Sequence, residues 1–173
     1  MKNTMKWLLF VAFIVVATSA SAQQKPVKLG HIESSKLIEV MPEMTEARKT
    51  LQTKQEEVQK EMQNLQDQYQ KLIADYTQNS QKYSEIIRDS KGQEINELGQ
   101  RMQKFQEIAE NELQKAQQDL LQPIMDKATK AIQEVGKENG FDYIFDMNAG
   151  AIVFAAESTE DVLPLVKKKL GLQ

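Results

Sequence analysis

The dominant pattern in the sequence is a row of apolar residues that recurs at alternating steps of three and four over some ninety residues. Such alternation is typical of a coiled-coil seam, whereas a helix packed on a globular core presents a broader apolar face. The residues between are polar and rich in glutamine, but a disordered linker would not sustain the pattern over this length. A long helical rod is therefore predicted. Its seam consists of Met44, Ala47, Leu51, Val58, Met62, Leu65, Tyr69, Leu72, Tyr76, Tyr83, Ile86, Ile95, Leu98, Met102, Phe105, Ala109, Leu113, Ala116, Leu120, Ile124, Ala128, Ala131 and Val135.

The seam is interrupted once, at residues 88–94, which are polar and contain Gly92. A chain reversal favours glycine, so the pattern predicts a fold-back there, between arms at about 43–88 and 93–139. Residues whose numbers sum to about 182 would then face each other, which sets Met62 against Leu120 and Tyr76 against Phe105. Apolar residues meet along the whole length in this register. The prediction is a long antiparallel helical hairpin with arms of roughly 70 Å.

The segment before the hairpin carries signals for a strand and a short helix. Residues 27–32 alternate loosely and lead into residues 35–40, which suit one or two helical turns after a capping serine. Pro42 then fits the first position of the next helix, where its missing N–H costs nothing.

The segment after the hairpin begins at Asn139 and Gly140, which suit a left-handed helix cap. Residues 141–146 and 151–156 are β-prone and flank an Asn/Gly turn, which predicts a β-hairpin. A last helix reaches Leu170 and starts either at Pro164, the favoured interpretation, or earlier, at a capping box of Ser158 and Asp161.

The predicted fold class is mainly α with a small β body: a long antiparallel helical hairpin, a coiled-coil arm, projecting from a small β-sheet oligomerisation domain. The body would comprise residues 23–42 and 140–173, and the arm residues 43–139 with its tip near 88–94. A body of about sixty residues is thin for an independently stable unit. Association between copies would complete it.

Residues 1–22 are typical of a cleaved secretory signal peptide. Lys2 and Lys6 precede an apolar run at 7–17 that is too short to span a bilayer, and small residues lead to Ala22. Cleavage is predicted between Ala22 and Gln23. Because Gln23 is not cysteine, no lipid anchor is expected, and the mature protein should be soluble outside the cytoplasm.

Charge and side-chain chemistry exclude several classes of function. The formal net charge of −3 falls to −5 once Lys2 and Lys6 leave with the signal, so the chain has no general attraction for nucleic acid. His31 is the only histidine and there is no cysteine, so no typical zinc site or Ser/His/Asp set can form. No phosphate-binding glycine loop is present. Neither an enzyme nor a cofactor is expected.

Three stretches at the ends of the hairpin suggest a family: residues 28–34 with 41–43, residues 141–149, and residues 161–167. Together with the central hairpin they resemble the Skp (OmpH) family of periplasmic chaperones over essentially the whole mature chain. The resemblance implies a homotrimer whose strands form a central β body, with three hairpins around a cavity that holds unfolded outer-membrane β-barrel proteins. It implies no nucleotide or metal.

Two features depart from the family pattern. The best-known members have basic arms, whereas residues 43–119 here carry fifteen acids and eleven bases. Capture of acidic clients or lipopolysaccharide by charge therefore does not carry over. Leu163 replaces a threonine that would cap the last helix.

The resemblance leads to the hypothesis of an ATP-independent periplasmic holdase, with a structural coiled-coil adaptor of the cell envelope as the alternative. An adaptor that docks end-on should carry an apolar patch at its tip, and residues 88–94 have none. Arg88 and Lys91 there suit a solvated turn, or a weak contact with a membrane surface or lipopolysaccharide.

Candidate client contacts lie on the seam itself. Tyrosines spaced by seven either fill the space between the arms or offer edges to the cavity as adaptable apolar contacts. The candidate residues are Met62, Tyr69, Tyr76, Tyr83, Met102 and Phe105.

Overall fold

The computed structural model describes residues 26–156 and 158–172. The predicted signal peptide and its cleavage between Ala22 and Gln23 lie outside these residues. Long helices and a small sheet confirm the predicted fold class. The elements are β1 (Leu29–Ile32), α1 (Ser34–Glu39), α2 (Pro42–Asn79), a 3₁₀ turn (Ser80–Lys82), α3 (Glu85–Glu138), β2 (Tyr143–Asp146), a 3₁₀ turn (Met147–Ala149), β3 (Glu160–Asp161) and α4 (Leu163–Lys169).

The hairpin is formed by α2 and α3, of 38 and 54 residues, which pack along the seam. They run in opposite directions, since Lys127 near the end of α3 pairs with Glu43 at the start of α2, and Lys91 near the start of α3 lies by Asp75. Every predicted seam residue within the two helices except Ile86 is buried or half-buried. At 1.5 Å per residue α2 is about 57 Å long.

The predicted tip at residues 88–94 is wrong, because these residues lie inside α3. The chain reverses instead at 80–84, where Tyr83 is extended and the Ser84 hydroxyl oxygen accepts a hydrogen bond from the Ile87 N–H. Facing residues therefore sum to about 170: Met62 shares a groove with Ala109, not with Leu120. A three-four seam matches itself at many registers, so helix caps, and not apolar pairing, fix the tip.

Two seam residues near the tip are affected by this correction. Tyr83 is half-buried just outside the helices, and Ile86, with 82 % of its surface exposed, is not part of the seam.

Substituting Gly92 with alanine tests the corrected tip. A Cβ at this helical position would meet no atom within 4 Å, so the variant is expected to stabilise the protein by about 1 kcal/mol, measured by urea unfolding followed by circular dichroism. Gly140→Ala is the matched control, equally uncrowded but at φ +69°, and it should destabilise. A loss of stability in Gly92→Ala would contradict a continuous α3.

The sheet has the order β2-β1-β3, and both pairs are parallel. The predicted β-hairpin is therefore wrong: β2 matches its first half, but residues 151–156 form no strand and the third strand is Glu160–Asp161. The Asp146 carboxylate accepts the Asn148 N–H and holds the chain in a 3₁₀ turn, which directs it away from the free edge of β2.

The favoured start of the last helix is close to the observed one. α4 begins at Leu163 with Pro164 in its first turn, and the Leu163 N–H donates to the Asp161 carboxylate at 2.9 Å.

The core lies where both chain ends meet the base of the hairpin. Ile32 and Leu37 pack with Val135 of α3 and with Val162 and Val166 near the C-terminus. Residues from six parts of the chain thus close one small core, from which the arm extends.

Candidate functional site

The hairpin arm and the outer face of the sheet are the two surfaces large enough to bind a partner. The arm is anchored at its base only, because the core ends near Ile124 and Ala47. Beyond them the arm helices contact chiefly each other. Such segments have few long-range contacts and open at low cost in free energy.

The six candidate contact residues all lie between the arm helices or at the tip and are half-buried. Tyr69 lies opposite Gly99, where a Cβ would be 3.7 Å from the Tyr69 ring. Met62 lines a groove, and the Tyr83 hydroxyl donates to Asp75. Tyr76, Met102 and Phe105 fill the seam. Their role as client contacts stays a prediction.

The exposure of several apolar residues of the arm was not predicted from the sequence. Ile73, Ile108 and Met125 lie on the arm helices, and Ile86 and Ile87 lie at the tip. The signal was available, because each of the first three stands directly beside a seam residue in the sequence. The exposure of Ile86 and Ile87 was not predicted because the predicted tip lay at residues 88–94, which placed these two residues inside the arm.

Two grooves run between the arm helices where small seam residues leave gaps. One, of about 650 Å³, lies near the base between Ala47 and Ile124, and Glu46 and Asp119 are on its rim. The other, of about 370 Å³, lies further along between Met62 and Ala109. Both have mainly apolar floors and open to solvent.

The tip is held by a polar cluster around Asp75. Its carboxylate accepts hydrogen bonds from Asn79 and Tyr83, both at 2.9 Å, and these bonds hold the pKa of Asp75 below its usual range. Partial burial, together with the hydrogen bond to Asp75, raises the pKa of Tyr83.

The two cations assigned to the tip from the sequence already have partners. Arg88 Nε donates to the Ser80 carbonyl oxygen at 3.2 Å, and Lys91 lies 3.9 Å from Asp75 and 3.3 Å from Glu94. These contacts do not favour a lipid or lipopolysaccharide site there.

The base of the arm carries an ion pair between Glu43 and Lys127. The hydrogen bond from Lys127 lowers the pKa of Glu43. Both side chains are substantially exposed, so the pair contributes little to stability and mainly aligns the two helices.

The outer face of the sheet is largely apolar on β1 and β2, although Asp161 of β3 lies on it beside His31, and it has no cover within the described residues. On this face β1 carries Leu29 and His31, which pair with Tyr143 and Phe145 of β2. The rings of Tyr143 and Phe145 stack with their centroids 6.2 Å apart. In the segment after β2, Val153 and Phe154 are 98 % and 79 % exposed. Exposed apolar surface of this kind marks an interaction site.

The Asp146 carboxylate beside this face forms hydrogen bonds that connect the C-terminal part of the chain to the N-terminal part. It accepts hydrogen bonds from the Ser34 N–H at 3.2 Å and the Ser34 hydroxyl at 2.5 Å, and so caps α1 from another part of the chain. Burial alone would raise its pKa, but the hydrogen bonds from Ser34 and Asn148 outweigh burial and leave the pKa of Asp146 below its usual range.

Asp146→Ala is expected to destabilise the protein by about 1–2 kcal/mol at neutral pH, the usual cost of losing a helix cap. Because the folded pKa is depressed, this stabilisation is present above the unfolded pKa of about 3.9 and is lost as the pH falls through the folded value. Urea midpoints of variant and parent should converge in acid. Asp119→Ala, at an exposed helical position, should stay within about 0.5 kcal/mol of the parent at every pH.

The polar groups do not assemble a reactive centre in the part of the chain that is described. No group of three metal-ligating side chains occurs there. His31 is half-buried in β1, between Phe145 and Asp161 on the neighbouring strands. Among the described helices, none is both long and apolar enough to cross a membrane.

Comparison with known proteins decides the family. The family model described as outer membrane protein (OmpH-like) matches residues 28–170, which includes the whole hairpin and the sheet. The chain belongs to the OmpH-like family. No curated protein matches it.

Membership in the OmpH-like, or Skp, family confirms the resemblance drawn from the terminal stretches. The family consists of periplasmic chaperones that bind outer-membrane proteins and is not known for enzymatic activity.

Proposed function

We propose that this OmpH-like protein is an ATP-independent holdase of the periplasm that assembles as a homotrimer. It would bind unfolded outer-membrane β-barrel proteins and prevent their aggregation during outer-membrane assembly. The observation that carries the proposal is a hairpin that is anchored only at its base and has a groove with an apolar floor on its free part.

The free arm suits clients of different size. Arms that contact chiefly each other beyond Ala47 and Ile124 can move apart at low free-energy cost. Several weak contacts on such arms give useful affinity together, while no single contact prevents release.

The sheet face supports assembly of several copies. Val153 and Phe154 are exposed in the segment after β2, and Tyr143 and Phe145 form an apolar patch on one side of a sheet of only three strands. A second copy would cover it. Three copies would place three arms around a common cavity, as in the family.

Suppression of aggregation tests the holdase function. An unfolded eight-stranded outer-membrane β-barrel protein is diluted from urea, and turbidity is followed with and without the mature protein, in the absence of ATP. The proposal predicts that stoichiometric protein keeps the barrel soluble. Equal turbidity in both samples would contradict it.

An envelope adaptor is the second candidate, and the corrected tip favours it more than the sequence did. Ile86 and Ile87 place exposed apolar surface at the very end of the arm, where end-on docking would occur. A double substitution of Ile86 and Ile87 with lysine separates the two functions. A holdase keeps the barrel soluble with this variant, whereas an adaptor loses its partner.

A further inference from the structure

The two flanks of the seam differ sharply in charge. For the twenty-one seam residues within α2 and α3, the residue immediately before is charged in sixteen cases, and the residue immediately after is charged in only two, Arg48 and Glu110. Nine of the residues that follow are glutamine. We name the residues that precede seam positions the charged flank and those that follow them the glutamine flank.

The structure places each flank on one side of the hairpin. In antiparallel helices, residues that follow the seam on one helix lie on the same side as those that follow it on the other. The 370 Å³ groove confirms this arrangement, because Gln59, Gln63 and Gln66 of α2 border it together with Gln106 and Glu110 of α3. The smaller groove behind it, by contrast, is bordered by charged residues. The 650 Å³ groove also opens on the charged flank, bordered by Glu43, Glu46 and Lys127, but it lies at the anchored base of the arm.

Exposed and half-buried apolar residues outside the seam follow the same division. Ile73 on α2 and Leu121, Met125 and Ile132 on α3 all belong to the glutamine flank, whereas Ile108 belongs to the charged flank. The glutamine flank thus combines an apolar floor, apolar side chains along its length, and uncharged amides.

We propose that the glutamine flank is the surface on which the arm binds extended segments of an unfolded outer-membrane protein. The proposal rests on the holdase function above and specifies which side of the arm holds the client. The charged flank then faces away from the client.

The chemistry of the groove fits an extended chain. Each glutamine amide offers two N–H donors and a carbonyl acceptor, and an unfolded chain presents unpaired backbone N–H and C=O groups. Strands of outer-membrane barrels alternate apolar and polar residues. One side of such a strand can lie on Val58 and Met62 while its backbone reaches the amides of Gln59 and Gln66.

The distribution of charge supports the same occupant. Peptide groups are uncharged, and burying a charged side chain against them would cost desolvation without an ionic partner. A surface with only two charged residues of opposite sign, Arg48 and Glu110, also accepts clients of either net charge. Gln59 and Gln66 have hydrogen-bonding capacity for a client, and glutamine side chains adapt to different backbone positions.

A pair of charge variants tests which flank binds the client. Gln59→Glu with Gln66→Glu adds two negative charges to the glutamine flank, and Asn64→Asp with Gln68→Glu adds the same charge to the charged flank, at exposed positions that border neither groove. Glutamate matches glutamine, and aspartate matches asparagine, in size and helix propensity. Affinity of the assembled full mature chain for the urea-diluted barrel is measured by fluorescence, together with solution mass and helicity.

The proposal predicts about tenfold weaker client binding for the glutamine-flank variant, the effect of two weakened hydrogen bonds, with mass and helicity unchanged. The charged-flank variant should bind within about twofold of the parent. Equal affinity in both variants, or equal loss in both, would overturn the assignment of the client to this flank. So would a change of mass in the glutamine-flank variant, which would make the flank an interface between copies. Failure of the unsubstituted chain to bind the barrel would refute the holdase function itself.

Discussion

Replacing Tyr143 and Phe145 with lysine is expected to reduce the mass of the protein in solution from that of an assembly to that of a single chain. The two rings stack on the outer sheet face, and Tyr143 is 63 % exposed although aromatic. Buried between copies, such residues dominate the free energy of association. Two lysines per chain would leave unpaired charges at the contact, which costs several kcal/mol. The measurement is light scattering after gel filtration.

Ile108→Lys provides the control for this prediction. Ile108 is exposed to a similar extent as Phe145 but lies on the arm, so the substitution should leave the mass unchanged. If the sheet variant kept the mass of the assembly, the apolar sheet face would not be the contact between copies.

Leu37→Ala is expected to destabilise the protein by about 3 kcal/mol. Leu37 is completely inaccessible and packs in the core formed by both chain ends, so its truncation leaves a cavity. Because this core anchors the arm, loss of the core should also release the arm base. Urea unfolding followed by circular dichroism gives the change in free energy.

Val40→Ala is the matched control for the core substitution. Val40 follows the same short helix but is 43 % exposed, so its truncation should cost less than about 1 kcal/mol. Equal losses in the two variants would contradict the position of the core at Leu37.

The seam, the base of the arm and the family could be predicted from the sequence because each depends on local signals. Pro42 starts α2 and Gly140 follows the end of α3 with φ +69°, as the residue types require. The seam spacing identified almost every residue that lies between the helices.

The register of the arms and the third strand could not be predicted for physical reasons. Many registers pair apolar with apolar residues along a regular seam, and the cap at Ser84 is a weaker signal than the glycine at 92. The third strand, Glu160–Asp161, is two residues long, polar and exposed, so its pairing depends on the tertiary position of β1 and not on β propensity.

The candidate site was predicted only in part, because apolar periodicity identifies the seam but does not show on which side of the hairpin each flank lies. Tyr69 and Phe105 were found on periodicity, and the structure places them half-buried between the helices. Ile73 and Met125 stand one position after seam residues. That this position lies on the glutamine flank follows from the residues that border the groove, and not from the sequence spacing.

The solution mass of the mature protein, with and without a β-barrel protein diluted from urea, tests the central claim most directly. Light scattering after gel filtration should give three times the mass of one chain. With the barrel present, the assembly should gain the mass of one client and stay soluble. A monomer or dimer that leaves the barrel to aggregate would contradict the trimeric holdase and direct the search toward a fixed partner in the cell envelope.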